Sequence, residues 1–162
     1  MAIASEICNS FKEEILQGGH CLNASGSTPA GNAIKCALYS SNSAVLSKST
    51  TQWTVASDPT ADPTNTYEVT TTGSGYSSGG KTLTAIDPTL SGDSAVCDFS
   101  NESWTSATFT ARGLLLYNST AITGFTTNRS ICAINFGGDK TVTSGTFTIE
   151  FPSPAAGTAI IE

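Results

Sequence analysis

Polar and apolar positions alternate along most of this chain, but not at its N-terminal end. There, Ile7, Phe11 and Ile15 recur at every fourth position, with Cys8 and Leu16 beside them. That spacing places one apolar stripe on a helix of about three turns. Ser5 is the expected N-cap, Glu6 sits near the positive end of the helix dipole, and Gly18 and Gly19 allow the helix to stop. Lys12, Glu13 and Glu14 cover much of the rest. So short a helix is not stable alone, so its stripe is expected to dock on the body of the same domain.

Beyond Gly19 the period is two. "NASGSTPAGN" reads as a loop, and "AIKCALYS" alternates as a strand. "TTQWTVA" and "TYEVTTT" are strand candidates on either side of "SDPTADPTN", whose two Asp-Pro pairs mark an exposed turn. After the glycine-rich turn "GSGYSSGG" come "KTLTAID", expected to end at Pro88, then "SAVCDFS", "WTSATFT", "ARGLLLYN" and "SICAINF". A turn at "GGDK", a brief "TVT" and "TFTIEF" follow, and "AAGTAIIE" closes the chain as an apolar tail. Eight or nine short strands at this spacing predict a mainly β fold, an antiparallel β-sandwich of jelly-roll or Ig-like type with one N-terminal α-helix. No repeat or linker divides the chain, so residues 1–162 are expected to form a single β-sandwich domain with the helix of residues 1–19 docked on it.

One strand carries an irregularity. In "TFTARGLLLYNST", Phe109, Ala111, Gly113, Leu115 and Tyr117 fall on one face, and Thr110, Arg112, Leu114 and Leu116 on the other. The strand begins amphipathic and ends apolar on both faces. Either Gly113 permits a β-bulge that flips the register, so that Arg112 faces water and Leu114 and Leu116 turn inward, or the back of the second half is covered by the N-terminal helix or by a neighbouring chain. The second arrangement is preferred, because the helix stripe needs a surface; Arg112 then marks the rim, with its stem on apolar ground. Ile7, Phe11, Ile15, Arg112, Leu114 and Leu116 are accordingly the interface or helix-docking candidates.

Composition narrows the function. Charged residues are 12% of the chain and the net charge is −6, so solubility rests on 22 Ser and 25 Thr instead. The few Lys and Arg are scattered, which argues against nucleic-acid binding. "MAIASEICNSFKEEILQGG" is interrupted by charge and reads as neither a signal peptide nor a membrane span. The sequons at Asn23, Asn101, Asn118 and Asn128 are what a Ser- and Thr-rich chain produces by chance. Cys8, Cys21, Cys36, Cys97 and Cys132 are odd in number and lack C-x-x-C spacing, so free thiols in a reducing cytoplasm are expected.

Chemistry-bearing motifs are sparse. The single histidine, His20, follows two glycines and reads as a turn residue. A metal site from Cys8, His20 and Cys21 lacks a fourth ligand. Asp58 and Asp62 lie in a proline loop, while Asp98 and Glu102 bracket a turn without the support a glycosidase pair needs. "GSGYSSGG" lacks the lysine and following helix of a phosphate loop. Trp53 and Trp104 could stack on sugars or anchor a core. No catalytic residue, metal or cofactor is therefore assigned, and the chain is not expected to be an enzyme.

Four segments resemble small tailed-phage virion structural proteins of the capsid decoration or cement kind. They are "NSFKEEILQGGH", "IKCALYSSNSAVLSKSTTQWT", "YEVTTTGSGYSSGGKTLT", and "FSNESWTSATFTARGLLLYNST" together with "INFGGDKTVTSGTFTIEFP" and a closing "AII". The Thr-Ala-Arg-Gly strand and the Phe-Gly-x-Asp-Lys turn are the most specific parts. The departures are the five cysteines and the "ASDPTADPTN" loop. The resemblance implies a protein that folds in the bacterial cytoplasm and binds the outside of the major capsid shell, as a homo-oligomer, a trimer among the options. It implies no nucleic acid and no membrane as partners. Alternatives are a neck or tail virion component, or a secreted carbohydrate-binding or adhesin module.

Overall fold

A computed structural model of the chain describes residues 3–40, 46–53 and 67–152. The Asp58 and Asp62 loop, the second half of "TTQWTVA" and the closing "AAGTAIIE" lie outside the described residues. The element order is β1 (Glu6–Ile7), α1 (Asn9–Leu16), β2 (Ile34–Tyr39), β3 (Lys81–Thr82), β4 (Ala85–Ser91), β5 (Ser94–Phe99), β6 (Glu102–Asn118) and β7 (Arg129–Ile149). The fold is mainly β with antiparallel pairing throughout. One sheet runs β1-β7-β6-β2-β3, and β4 with β5 forms a second.

The helix starts later than its apolar period suggests. Glu6 and Ile7 pair with Ala133 and Cys132 of β7, and the Cys8 N–H continues that pairing to the Ile131 carbonyl at 2.9 Å. The sheet edge thus captures the residues expected to form the first turn. Cys8, not Ser5, occupies the N-cap and makes no side-chain cap, while Ser5 Oγ accepts the Asn135 N–H at 3.0 Å. The C-terminal stop is as expected. Gly18 has φ +78°, and the Gly19 N–H reaches back to the Glu14 carbonyl at 2.7 Å, closing the last turn.

Two long strands replace several of the short ones expected. "WTSATFT" and "ARGLLLYN" are both parts of β6, 17 residues long, and "SICAINF", "TVT" and all but the last two residues of "TFTIEF" are parts of β7, 21 residues long. The segments read as turns are irregularities inside one continuing ribbon. The β6–β7 register shifts between Trp104 and Ala107, between Ala107 and Phe109, and between Ala111 and Gly113. Ser106, Gly137 and Ser144 take φ values of +52°, +74° and +48°. Such bulges bend a strand and sharpen its twist. Phe136 and Phe147 are eleven positions apart, which would separate them by roughly 36 Å in a straight strand, yet their rings lie 6.3 Å apart. The ribbon therefore curls over on itself. Its far half returns to the opposite side of the sheet, where Lys81 of β3 pairs with Glu102 at 2.8 Å and the Thr108 N–H meets the Ser74 carbonyl at 2.9 Å. The described part of "TYEVTTT", residues 67–72, has no strand and a single bridge of Glu68 to Tyr39. Pro88 lies within β4 instead of ending it, because the β4–β5 register shifts between Ile86 and Thr89 and leaves the proline out of the ladder.

Two cores fill the curl. The larger holds Phe109 and Ala111 together with Leu114 and Leu116, so β6 changes face at Arg112–Gly113. Phe11 and Cys8 of the N-terminal segment and Cys97 and Phe99 of β5 pack into the same core. The smaller holds Leu115 and Tyr117, covered by Ile3, Leu46 and Trp53. The two arrangements weighed from the sequence are thus not alternatives. The face flip occurs, and both faces of the second half are then covered. Gly113 owes its place to close approach, since a Cβ there would lie 2.5 Å from the Ile134 carbonyl oxygen and 2.9 Å from Ile3.

Candidate docking surface

The six residues expected at an interface divide sharply. Phe11, Leu114 and Leu116 are core residues, and Ile7 packs partly buried against them. They dock the helix and the sheet on each other and are not presented outward. Arg112 is half-buried and pairs with Asp139 at 3.3 Å. Ile15 alone of the six is exposed, and its neighbour Leu16 is 89% exposed. A second outward apolar display, which the periodicity does not single out, lies on the β4–β5 hairpin, where Ile86 is exposed and Leu90 is 78% exposed.

The chemistry-bearing side chains point the other way. His20 is buried against Phe11, their rings 4.8 Å apart. The Asn118 amide donates to His20 Nδ1 at 3.2 Å, which leaves the ring proton on Nε2, and Nε2 donates to Glu14 Oε2 at 2.8 Å. Arg129, fully buried, lies 3.4 Å from the same carboxylate and donates to the carbonyls of Thr126 and Gly19 at 2.7 and 2.5 Å. Burial first, and then the Arg129 charge, hold the imidazole pKa down to about 4. Burial raises that of Glu14 against the pull of Arg129. Both histidine nitrogens are spent, one on Asn118 at the end of β6 and the other on Glu14 of α1, so His20 is a fastening residue.

A second inward cluster surrounds Glu68. Its carboxylate accepts from the Tyr76 hydroxyl at 2.7 Å, the Gly79 N–H at 2.6 Å and Ser78 Oγ at 3.0 Å. Burial raises its pKa although these donors oppose the rise. The "GSGYSSGG" turn is therefore wrapped around a carboxylate of its own chain. Gly80, at φ +68°, sits so close to β2 that a Cβ would fall 1.7 Å from the Cys36 carbonyl oxygen. No spacing in the sequence announces Glu68 as the acceptor, because strand alternation in "YEVTTT" hides it.

The remaining candidates are also occupied or covered. Trp53 and Trp104 are 7% and 2% exposed, so neither offers a ring face to a sugar. Trp53 stacks on Tyr117 at 5.3 Å. Asp98 accepts its neighbour's N–H, from Phe99 at 2.7 Å, whereas Glu102 pairs with Lys81, so the two are engaged separately. Cys8, Cys36, Cys97 and Cys132 are buried, and Cys21 is partly so. Burial pushes the Cys97 thiol up to about 11 and those of Cys36 and Cys132 higher. Among the described residues no group of three His, Cys, Asp or Glu could hold a metal ion, and no helix is long and apolar enough to cross a membrane.

One concave surface stands out. A groove of about 670 Å³ opens where the curled β7 faces itself, lined by Leu114, Ile134, Phe136, Phe147, Ile149 and Phe151. Lys140 and Glu150 are its charged members. Its lining is mostly aromatic and aliphatic, with Ser5 and Thr148 as its hydroxyls and no histidine or cysteine. Such a wall can hold an apolar side chain. Comparisons with protein-family models, curated proteins and solved structures find no match to this chain, so its own surface is what speaks to its role.

Proposed function

We propose that the chain is a virion structural protein, a capsid decoration protein that binds the outside of the major capsid shell as a homo-oligomer and stabilises it. One observation carries the reading: reactive side chains are turned inward, while four large apolar ones outside the core are turned outward. His20, Glu14 and Arg129 are spent on each other, and four thiols are buried. Ile15, Leu16, Ile86 and Leu90 face outward at a helix end and a hairpin. A protein whose task is to stick needs that distribution, because a contact depends on burying exposed apolar surface. Each copy need bury only about 1,000 Å² or less if many copies bridge neighbouring subunits. The sequence resemblance points the same way. Quantitative mass spectrometry of purified particles, with electron-microscopy reconstruction, tests the reading. Hundreds of copies on the shell exterior are expected. A handful of copies would move the protein to the neck or tail, and its absence from particles would end the assignment.

A further inference from the structure

We propose that the projecting part of the β4–β5 hairpin, residues 88–95, docks in the β7 groove of a second copy of the chain, with Leu90 as the side chain that fills it. The inference rests on the reading of the chain as a homo-oligomer and names the surface that makes one. Every residue from 86 to 95 is exposed. Asp87 is held by Ser27 Oγ and by the Ala24 N–H, so the projecting arm begins just beyond it. A two-stranded hairpin standing alone in water is marginally stable at best. This one shows Leu90 78% exposed and Ile86 45% exposed. An arm of that kind gains from a partner that covers it.

The groove supplies the complement. Its wall of Ile134, Phe136, Phe147, Ile149 and Phe151 touches the larger core on one side and stays partly exposed on the other. Beyond its pairing with Glu6 and Ile7, the outer edge of β7 has no strand beside it among the described residues. An arm strand laid along such an edge gains main-chain hydrogen bonds while its apolar side chains enter the groove. Charge gives the direction. From residue 82 to residue 111 the chain has no Lys or Arg, and the hairpin turn carries Asp93. Lys140 and Glu150 are the charged members of the groove, so Asp93 lies toward Lys140 and away from Glu150. The occupant is a second copy because the arm of the same copy stays out. Its root lies against the groove wall, with the Phe99 and Phe151 rings 5.7 Å apart, yet Leu90 remains in solvent. A copy that carries both arm and groove gives one contact and receives another, which is how a dimer or a closed ring is built.

The test needs no capsid. A photo-crosslinking amino acid in place of Leu90 is activated in an equal mixture of ordinary and isotope-labelled full chain, and the joined peptides are mapped by mass spectrometry. Crosslinks to 134–136 or 147–151 that join a labelled to an unlabelled copy are expected. Solution mass should fall from a multiple of the chain to a single chain on dilution. Leu90→Asp should raise the dissociation constant by at least about tenfold. Asp93→Lys should weaken association as well, and Lys140→Asp added to it should restore it. In dilute solution, where copies are apart, Leu90→Asp should melt with the wild type, which separates lost docking from lost folding. Crosslinks confined to one copy, or joined outside those positions, would overturn the proposal, as would a wild type that stays monomeric at millimolar concentration. Association through the arm by a protein absent from particles would uphold it while ending the virion assignment. A monomer found on the capsid exterior would do the reverse.

Discussion

His20 shows how much a single side chain can be bound up with the fold around it. Its ring nitrogens are divided between Asn118 and Glu14, and Arg129 competes for the same carboxylate. The folded state holds the imidazole near pKa 4 against 6.5 when unfolded. Between those values the unfolded chain binds the extra proton, so the histidine's share of stability is intact above pH 6.5 and is lost as the pH falls toward 4. With partial screening the loss amounts to about 2 kcal/mol. Glu14 and Glu68, whose pKa values are raised by burial, act in the opposite sense and relieve the fold as they protonate. The informative quantity is therefore a difference. The melting temperature of the wild type should fall more steeply from pH 6.5 to 4.5 than that of His20→Gln. Parallel curves would show that the imidazole carries no share of the acid sensitivity.

At the scale of elements, the Arg112–Gly113 step decides which side of β6 faces which core. It lets Phe109 and Ala111 share one core with Leu114 and Leu116 while Leu115 and Tyr117 turn to the other. A methyl group at Gly113 would press on the Ile134 carbonyl and on Ile3 together. Gly113→Ala is expected to cost about 2–3 kcal/mol in chemical denaturation. Gly138→Ala in the same ribbon, where a Cβ would meet nothing within 4 Å, should cost far less. Equal effects would mean that the step tolerates bulk and that the face change has another cause. Much of this element was legible beforehand, because an amphipathic strand that turns apolar on both faces has few explanations. What was not legible was length. Bulges inside a ribbon and turns between strands use the same Gly, Ser and Asp residues, so "GGDK" read as a break although β7 runs through it. The first helical turn was lost for a related reason: Ile7 suits a helix stripe and a sheet edge equally, and only the partner strand β7 decides between them. The Glu68 cluster is closed by a glycine-rich turn eight to eleven residues further on, and the groove by the curl of β7, and no local period encodes either.

At the scale of the molecule, the sorting of side chains is the feature that bears on function. Apolar positions at i and i+4 identified Phe11 as inward, but the same stripe left Ile15 half in the open and Leu16 fully so. The β4–β5 hairpin likewise holds Cys97 and Phe99 against the core at one end and shows Leu90 to solvent at the other. Core packing and outward apolar display are therefore carried by different residues and can be separated by substitution. Leu16→Asp and Leu90→Asp remove exposed apolar surface and no core contact, so unfolding free energy should stay within about 0.5 kcal/mol of the wild type. If these two displays make the contact, the double variant should attach to empty capsid shells at least about tenfold more weakly, since truncating an anchor at the centre of an interface costs more than about 1 kcal/mol. Leu116→Asp should do the reverse of a clean adhesion variant and unfold the domain, because a carboxylate in a site of zero exposure has no partner there. Undiminished attachment of the Leu16→Asp/Leu90→Asp protein would place the adhesive surface elsewhere on the fold.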